Sequence, residues 1–364
     1  MNKWIKTLFI GIASLPLLVG CGKDNSTKKV AAEQKVYNWK LVTSWPKNFP
    51  GLGTAPENFA KQVNEMSNGR LNIKVYGAGE IVPGFQVFDA VSQGSAQMGH
   101  AAAYYWKGKM AAAPIFTALP FGLNAQETNG WLHYGGGLEL WRELYKPFGV
   151  IPFAGGNTGV QSAGWFKKEI NSLDDFKGLK MRIPGLGGEV IQKLGAIPVA
   201  LTGGELFTSL QSGAIDATEW VGPYNDLAFG FHKVTDHYYA SGWHEPGAML
   251  EFTVNEKAFN ELPKDLQKIV EVATRAVNQD MLDEYTARNN AALKTLKTKH
   301  GVEVKTLPAD VMQALKKASS EVLAEQAAAD PMFAKVMASY AKFQKQVGAY
   351  HMISEVEYYK NREL

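Results

Sequence analysis

The segment Asp174–Gly185 places an arginine where a carboxylate could be bound. Arg182 lies at the end of a strand-like run, and the glycine-rich sequence after Pro184 is typical of a helix start. A guanidinium matches a carboxylate with two parallel hydrogen bonds, and the N–H groups at a helix N-terminus also attract anions. The pattern is compatible with recognition of an organic acid, but a solvated surface arginine is the more common reason for such a local sequence.

The sequence lacks the patterns of several common enzyme sites. His232, His237 and His244 do not have the i, i+4 spacing of a zinc-binding helix. The glycine-rich loop carries Val190 where the third small residue of a GxGxxG motif would stand. There is no Gly-Lys-Ser/Thr phosphate loop and no nucleophile elbow. These absences favour a binding protein over a nucleotide-dependent enzyme or a hydrolase.

Composition and net charge limit the remaining classes of protein. The 364 residues are 46% hydrophobic and 20% charged, which is ordinary for a globular chain and long enough for two domains. The formal charge is only +3, and it falls to +1 without Lys3 and Lys6. Nucleic-acid binding depends on neutralising phosphates with clustered basic residues, so no nucleic-acid partner is expected.

The N-terminus has the organisation of an export signal. Lys3 and Lys6 precede an apolar stretch, Leu8–Val19, that is too short to span a bilayer comfortably, so residues 1–20 are predicted to be a signal peptide. Cys21 is the single cysteine and ends a sequence, LVGC, that resembles a bacterial lipobox. We expect a lipidated N-terminus and a flexible tether over residues 21–36, although an ordinary signal peptide with an incidental cysteine also fits.

From Tyr37 onward, short strands and helices alternate, which predicts an α/β fold with largely parallel sheets. The first series has strands at 37–43, 71–76 and 97–101, with helices at 55–67 and 85–92. The second has strands at 150–154, 162–166, 179–183, 197–201 and 214–219, with helices at 187–194 and 205–211. A strand at 249–254, a long helix at 263–300 and a helix-rich tail at 308–347 follow.

Two such series predict two lobes, with a ligand cleft at the carboxyl ends of the strands. We expect residues 37–156 to begin lobe I and residues 157–247 to form lobe II. Residues 248–364 are then expected to return to lobe I and to add the long C-terminal helices.

Three motifs show a family resemblance: FKGLKMRIPG (176–185), GAIPV (195–199) and LQSGAIDA (210–217). Together they resemble the solute receptors of TRAP transporters, the tripartite ATP-independent periplasmic systems. The resemblance implies a periplasmic-binding-protein-like fold of two α/β lobes that close on an organic acid, with delivery to integral membrane permease subunits. It also implies that Arg182 is the principal ligand of the substrate carboxylate.

Further segments resemble the branch that binds 2-oxo acids and related monocarboxylates: YYWKG (104–108), NTGVQ (157–161), EWVGP (219–223) and WHEP (243–246). In that branch the substrate sits on a metal ion, and the resemblance assigns its ligands to Gln161, Glu219 and the carbonyl of Trp220. Glu245 falls at another cleft position and would be a further metal ligand. The substrate-binding residues implied in this way are Tyr104, Tyr105, Asn157, Gln161, Arg182, Phe207, Trp220 and Glu245.

Several of these residues have simpler interpretations. Glu219–Trp220 could be a capped strand end, and Tyr104–Trp106 could be a packed aromatic cluster. Trp45 and Phe207 could line an apolar wall or only pack in the core. The ion is Na⁺ or Ca²⁺; two carboxylates beside an anionic substrate would favour Ca²⁺.

The sequence therefore predicts a lipid-anchored receptor of the bacterial periplasm or cell envelope that binds a pyruvate- or lactate-like acid with a metal ion and catalyses no reaction. A receptor for a dicarboxylate or a sugar acid is the alternative within this class. A metal-dependent enzyme acting on small organic acids is the alternative from another class. The apolar residues of the 308–347 tail also predict a homodimer.

Overall fold

The computed structural model describes residues 35–362. Its strands are β1 (Tyr37–Thr43), β2 (Leu71–Tyr76), β3 (Met98–Ala101), β4 (Val150–Asn157), β5 (Gly164–Phe166), β6 (Lys180–Arg182), β7 (Ile197–Val199), β8 (Ala217–Thr218), β9 (His237–Tyr239), β10 (Met249–Asn255) and β11 (Val304–Lys305). Its α-helices are α1 (Thr54–Met66), α2 (Val87–Ser92), α3 (Ala125–Tyr134), α4 (Gly137–Tyr145), α5 (Gly185–Lys193), α6 (Leu206–Ser212), α7 (Pro223–Phe229), α8 (Glu256–Asn260), α9 (Lys264–His300), α10 (Ala309–Ala329), α11 (Pro331–Ile353) and α12 (Glu355–Asn361). Within this range, no helix combines the length and apolar character that crossing a bilayer requires.

The strands form two sheets, as the two series predicted. The first has the order β2-β1-β3-β10-β4, and the second has the order β11-β9-β5-β8-β6-β7. Each sheet is largely parallel with one reversed strand, β10 in the first and β5 in the second. Strand β5 is the one that the chain forms on first entering the second sheet, and β10 is the one that it forms on returning to the first. The chain crosses between the sheets a third time after β10, through α9 to β11.

The long helix α9 supports elements of both sheets. It runs without a break for 37 residues, which is about 56 Å at 1.5 Å per residue. Side chains from Leu266 to Met281 repeat at helical spacing and are buried, and the helix packs against β4, α1 and α7. It ends at Gly301, whose φ of +69° suits glycine at a helix C-terminus. The predicted helix at 263–300 is confirmed.

The C-terminal region departs from the expected return to lobe I. After α9 the chain adds β11 to the edge of the second sheet beside β9, and α10 packs on α5. The helical tail is also divided at Asp330, because Pro331 cannot continue a helix and the Asp330 side chain accepts the N–H of Phe333 at 2.6 Å. Residues 248–364 therefore contribute to both sheets.

Residues 102–149, for which the sequence pattern predicts no element, contain α3 and α4. A capping box starts α3: Asn124 accepts the N–H of Glu127, and the Glu127 carboxylate accepts the N–H of Asn124. This Asn-x-x-Glu pattern is a readable helix signal that our sequence analysis missed.

Candidate functional site

The first two crossing segments, residues 158–163 and 240–248, lie side by side and carry site residues to one place. The N–H of Gln161 donates to the carbonyl of Glu245 at 3.2 Å, and the N–H of Gly242 donates to the carbonyl of Gln161 at 2.8 Å. A Cβ on Gly242 would lie 2.4 Å from the Gln161 carbonyl oxygen. Only glycine allows this close approach, which holds Gln161 and Glu245 together.

Arg182 and Glu219 meet because β6 and β8 are parallel neighbours that end in register. The Arg182 Nη1 is bonded to the Glu219 carboxylate and donates to the Glu219 carbonyl at 3.2 Å, while Nε donates to Leu201 O at 3.2 Å. Arg182 is 1% exposed, and its Nη2 is buried and has no hydrogen-bond partner among residues 35–362. The guanidinium is therefore inside the protein with one nitrogen still able to bind an anion.

Oxygen and nitrogen donors that suit a metal ion collect beside this pair. Ligand atoms of Glu219, His244 and Glu245 all lie within 4.8 Å of one another. The Gln161 Nε2 donates to the Glu245 carboxylate at 2.7 Å, and its Oε1 is buried without a partner. Two carboxylates and an amide oxygen are ligands that Ca²⁺ and other hard cations prefer. The residues present fit such an ion.

His244 was not among the predicted site residues. Its Nε2 lies 3.4 Å from the Glu219 carboxylate, and its Nδ1 is buried without a partner. The sequence does not mark it as a metal ligand, because no second histidine follows one helical turn away. Its position directly before Glu245 in the WHEP segment was the available signal.

Burial controls the ionisation of the site. It raises the pKa of Glu245 well above its usual range, and the charge of Glu219 raises it further. Burial also raises the pKa of Tyr104, and it raises that of Tyr105 to about 12. The tyrosines consequently stay neutral and offer hydroxyl groups. Burial alone would lower the pKa of Arg182, but the charges around it, Glu219 first, raise it above its usual value.

A small cavity of about 10 Å³ lies against Gln161 and Tyr104 of the site, whereas Arg182, Glu219 and Glu245 do not line it. Its volume is roughly the room that one buried water needs. The structure is therefore closed around this point. The lining residues are Trp45, Leu52, Tyr104, Tyr105, Thr158, Gln161, Trp220, Val221, Ala248 and Leu250. Trp45, Leu52 and Leu250 belong to the first sheet or the loop after β1, whereas Trp220 and Val221 follow β8 of the second.

Most residues that the resemblance implied are brought together, but two are placed differently. Phe207 does not line the cavity, because its helix turns Leu206 and Leu210 to the core and leaves Phe207 on another face. Asn157 is completely buried, and its side chain donates to Gly247 O at 3.2 Å and accepts from Gly159 N at 2.9 Å. Its amide therefore fastens the crossing segments together. The ligand roles of the whole set remain predictions.

The chain belongs to the bacterial extracellular solute-binding protein family 7, whose pattern it matches over residues 41–330. Members are the extracytoplasmic solute receptors of TRAP transporters, so this resemblance is confirmed. A monocarboxylate 2-oxoacid-binding periplasmic protein of Nostoc sp. is 45% identical over 341 residues, which cover 94% of this chain and 93% of the relative.

Two solved structures are similar over the whole fold. One is a TRAP periplasmic solute-binding protein of Pseudoalteromonas atlantica with bound sodium and pyruvate, 47% identical with a TM-score of 0.88. The other is from Colwellia psychrerythraea, with bound calcium and pyruvate, 48% identical with a TM-score of 0.88. Each comparison covers 90% of this chain and all of the other. The predicted two-lobed fold with long C-terminal helices is confirmed.

Proposed function

We propose that this protein is the periplasmic receptor of a TRAP transporter and that it captures a 2-oxo or 2-hydroxy monocarboxylate, such as pyruvate or lactate, together with Na⁺ or Ca²⁺. It performs no chemistry and hands the acid unchanged to the membrane permease subunits. The solved relatives with pyruvate and either ion support this ligand class.

The observation that carries the proposal is a set of buried polar atoms without partners. Within residues 35–362, four of the ten such atoms belong to the site: Arg182 Nη2, Gln161 Oε1, Trp220 Nε1 and His244 Nδ1. Leaving a buried donor or acceptor unpaired costs about 1–3 kcal/mol each. A cluster of them beside a buried guanidinium is explained by a ligand that pairs with them.

The site residues suggest how the acid is held. Arg182 donates to one carboxylate oxygen, and the neutral Tyr104 or Tyr105 hydroxyl donates to another. Gln161, Glu219, Glu245 and the Trp220 carbonyl would hold the cation, whose charge would offset that of the acid. Trp45 and Leu250 from one lobe and Trp220 from the other surround the small apolar end and exclude water. Because these contacts come from both lobes, ligand binding favours the closed state.

Calorimetry on metal-depleted protein tests this function. Pyruvate should bind when Na⁺ or Ca²⁺ is supplied and should bind at least tenfold more weakly when neither is present. Glu219→Gln should weaken binding, and excess cation should partly restore it. Absence of binding to pyruvate and lactate under all ion conditions would overturn the proposal.

We also propose a lipid anchor at Cys21, which lies outside the described residues, as do the predicted signal peptide and most of the tether. The support is the lipobox-like LVGC sequence. The native protein should partition into the detergent phase on phase separation, and Cys21→Ser should move it to the aqueous phase or leave an unprocessed precursor. Equal partition of both proteins into the aqueous phase would contradict the anchor.

A homodimer is proposed from the end of the chain. Tyr350, Met352, Ile353, Tyr358 and Tyr359 on α11 and α12 are each more than half exposed. Apolar and aromatic residues that cluster on a surface commonly mark an interface. Sedimentation at micromolar concentration should show a dimer.

A further inference from the structure

We propose that Trp45, held in place by His100, limits the ligand to short, unbranched monocarboxylates. The inference rests on the proposed function and identifies the residue that sets the size of the acid within it. It makes Trp45 a specificity-determining residue and His100 a positioning residue.

Trp45 forms the wall of the cavity that belongs to the first lobe. It is 2% exposed and lines the cavity. Its ring centroid lies 6.0 Å from that of Tyr105 and 6.1 Å from that of Trp220, with the Trp220 ring nearly perpendicular. The indole therefore lies between a predicted substrate-binding tyrosine and a tryptophan of the opposite lobe. Any side chain that extends the ligand toward this wall must displace it.

Trp45 cannot move aside cheaply, because a buried histidine fixes its indole. The Trp45 Nε1 donates to Nδ1 of His100 at 2.9 Å. The second ring nitrogen, Nε2, must then carry the hydrogen, and it donates to Gly155 O at 2.9 Å. His100 is completely buried on β3. Rotating the indole would leave Nδ1 of His100 buried and unpaired.

The His100 imidazole keeps this tautomer at ordinary pH. Burial lowers the pKa of His100 to about 4. The imidazole is consequently neutral, and Nδ1 remains an acceptor for the indole in the weakly acidic or neutral surroundings of an exported protein.

The other walls leave no alternative space. Leu52, Ala248 and Leu250 complete the apolar lining, and the cavity holds about 10 Å³ in the closed form. Because a cavity of this volume holds about one water, every acid must displace its walls, and an isopropyl or isobutyl group must displace them further than a methyl group, into the volume that the indole occupies. Discrimination by one methylene in such a pocket is about 10- to 200-fold.

The test is calorimetry, in the presence of Ca²⁺, with pyruvate, 2-oxobutyrate, 3-methyl-2-oxobutanoate and 4-methyl-2-oxopentanoate. Wild type should bind pyruvate at least tenfold more tightly than either branched acid. Trp45→Leu should reverse that order, with roughly tenfold gains for the branched acids and a smaller loss for pyruvate. If Trp45→Leu does not fold, Trp45→Phe should shift the order in the same direction by a smaller factor.

His100→Asn examines the positioning role. It should broaden the range of acids bound without reversing the order, because the indole stays but loses its anchor. Trp39→Leu is the matched control: Trp39 is 5% exposed in the same lobe and does not line the cavity. It should lower the melting temperature without changing the order of the acids.

The outcomes separate the two proposals. An unchanged order of acids in Trp45→Leu and Trp45→Phe, with pyruvate still bound, would overturn the size limit and leave the receptor function standing. Wild-type protein that binds none of the four acids with any cation would overturn both.

Discussion

Arg182 and Glu219 form a buried ion pair that is incomplete on the arginine side. One guanidinium nitrogen is bonded to Glu219, and another, Nη2, is buried without a partner. Buried charges are stable only when their hydrogen bonds are satisfied. Arg182 can therefore bind a second anion, and the predicted carboxylate of the solute supplies one.

Replacing Arg182 with methionine should abolish binding of organic acids. Truncating one partner of a buried charge pair costs about 2–5 kcal/mol, or roughly 30-fold to several thousand-fold in affinity. Titration calorimetry with pyruvate measures the loss, and circular dichroism checks the fold. Arg288→Met is the control, because Arg288 is a 60%-exposed arginine on α9 paired with Glu284. Wild-type affinity in Arg182→Met would contradict the assignment.

Strand β10 connects the site to the core of the first sheet through one buried acid. Its Glu251 is completely buried and accepts hydrogen bonds from Trp106 Nε1 at 2.5 Å and from the Tyr145 hydroxyl at 2.8 Å. Trp106 directly follows Tyr105, so Glu251 links the turn that carries the site tyrosines to β10. No cation pairs with Glu251 among its described contacts, and burial raises its pKa to about 7.

This acid should make the protein less stable as pH rises. With a pKa of about 7 in the folded state, against an ordinary 4.5, the folded protein holds a proton that the unfolded chain releases. Folding stability is therefore lost between about pH 4.5 and pH 7, by an amount on the order of 2–4 kcal/mol. Glu251→Gln should flatten that part of the pH profile in urea denaturation.

Asp226 contributes in the same direction, because burial raises its pKa to about 7 as well. The stability of Glu251→Gln should therefore still fall with rising pH, but with a smaller slope than that of the wild type. Glu256→Gln, on the exposed first turn of α8, is the control and should leave the wild-type profile unchanged. A variant profile as steep as that of the wild type would show that Glu251 is ionised at all these pH values.

At the scale of the molecule, contacts far from the cavity also join the two lobes. Asn225 on α7, which follows β8 of the second sheet, donates to Pro50 O at 2.9 Å in the loop after β1, and it accepts from Tyr285 of α9 at 2.8 Å. Phe49 of the same loop packs on Phe229, with ring centroids 4.5 Å apart. These contacts exist only where the lobes meet, so they stabilise the closed state.

Asn225→Ala should therefore weaken pyruvate binding, although Asn225 does not line the cavity. Losing the amide leaves buried groups of Pro50 and Tyr285 unpaired, and a cost of about 1–2 kcal/mol to the closed state corresponds to roughly 5- to 30-fold in affinity. Small-angle scattering should show a larger radius of gyration than for wild type. Asn289→Ala removes a contact between α7 and α9 instead and should not change the radius. Equal radii for Asn225→Ala and wild type would contradict the closing role.

The amino-acid sequence by itself determined the alternation of elements, the long helix and the family. Apolar spacing and glycine or proline at the ends are local signals, which is why α9 was predicted within one residue. The motif around Arg182 combines a strand end, a guanidinium and a helix start within ten residues, but only its resemblance to the family indicated an anion site there.

Tertiary structure alone decided which of the candidates share the site. Glu251 lies in a strand-like run that reveals nothing about its burial, and the position of His244 beside Glu245 in the WHEP segment does not show that it approaches Glu219. Trp45 and Phe207 were equivalent as apolar candidates, and only the packing of the lobes put Trp45 in the cavity wall and left Phe207 outside it. The physical reason is that burial and side-chain pairing depend on segments that are distant in the sequence, such as the two residues 145 positions apart in the Trp106–Glu251 hydrogen bond, and no local pattern contains that information.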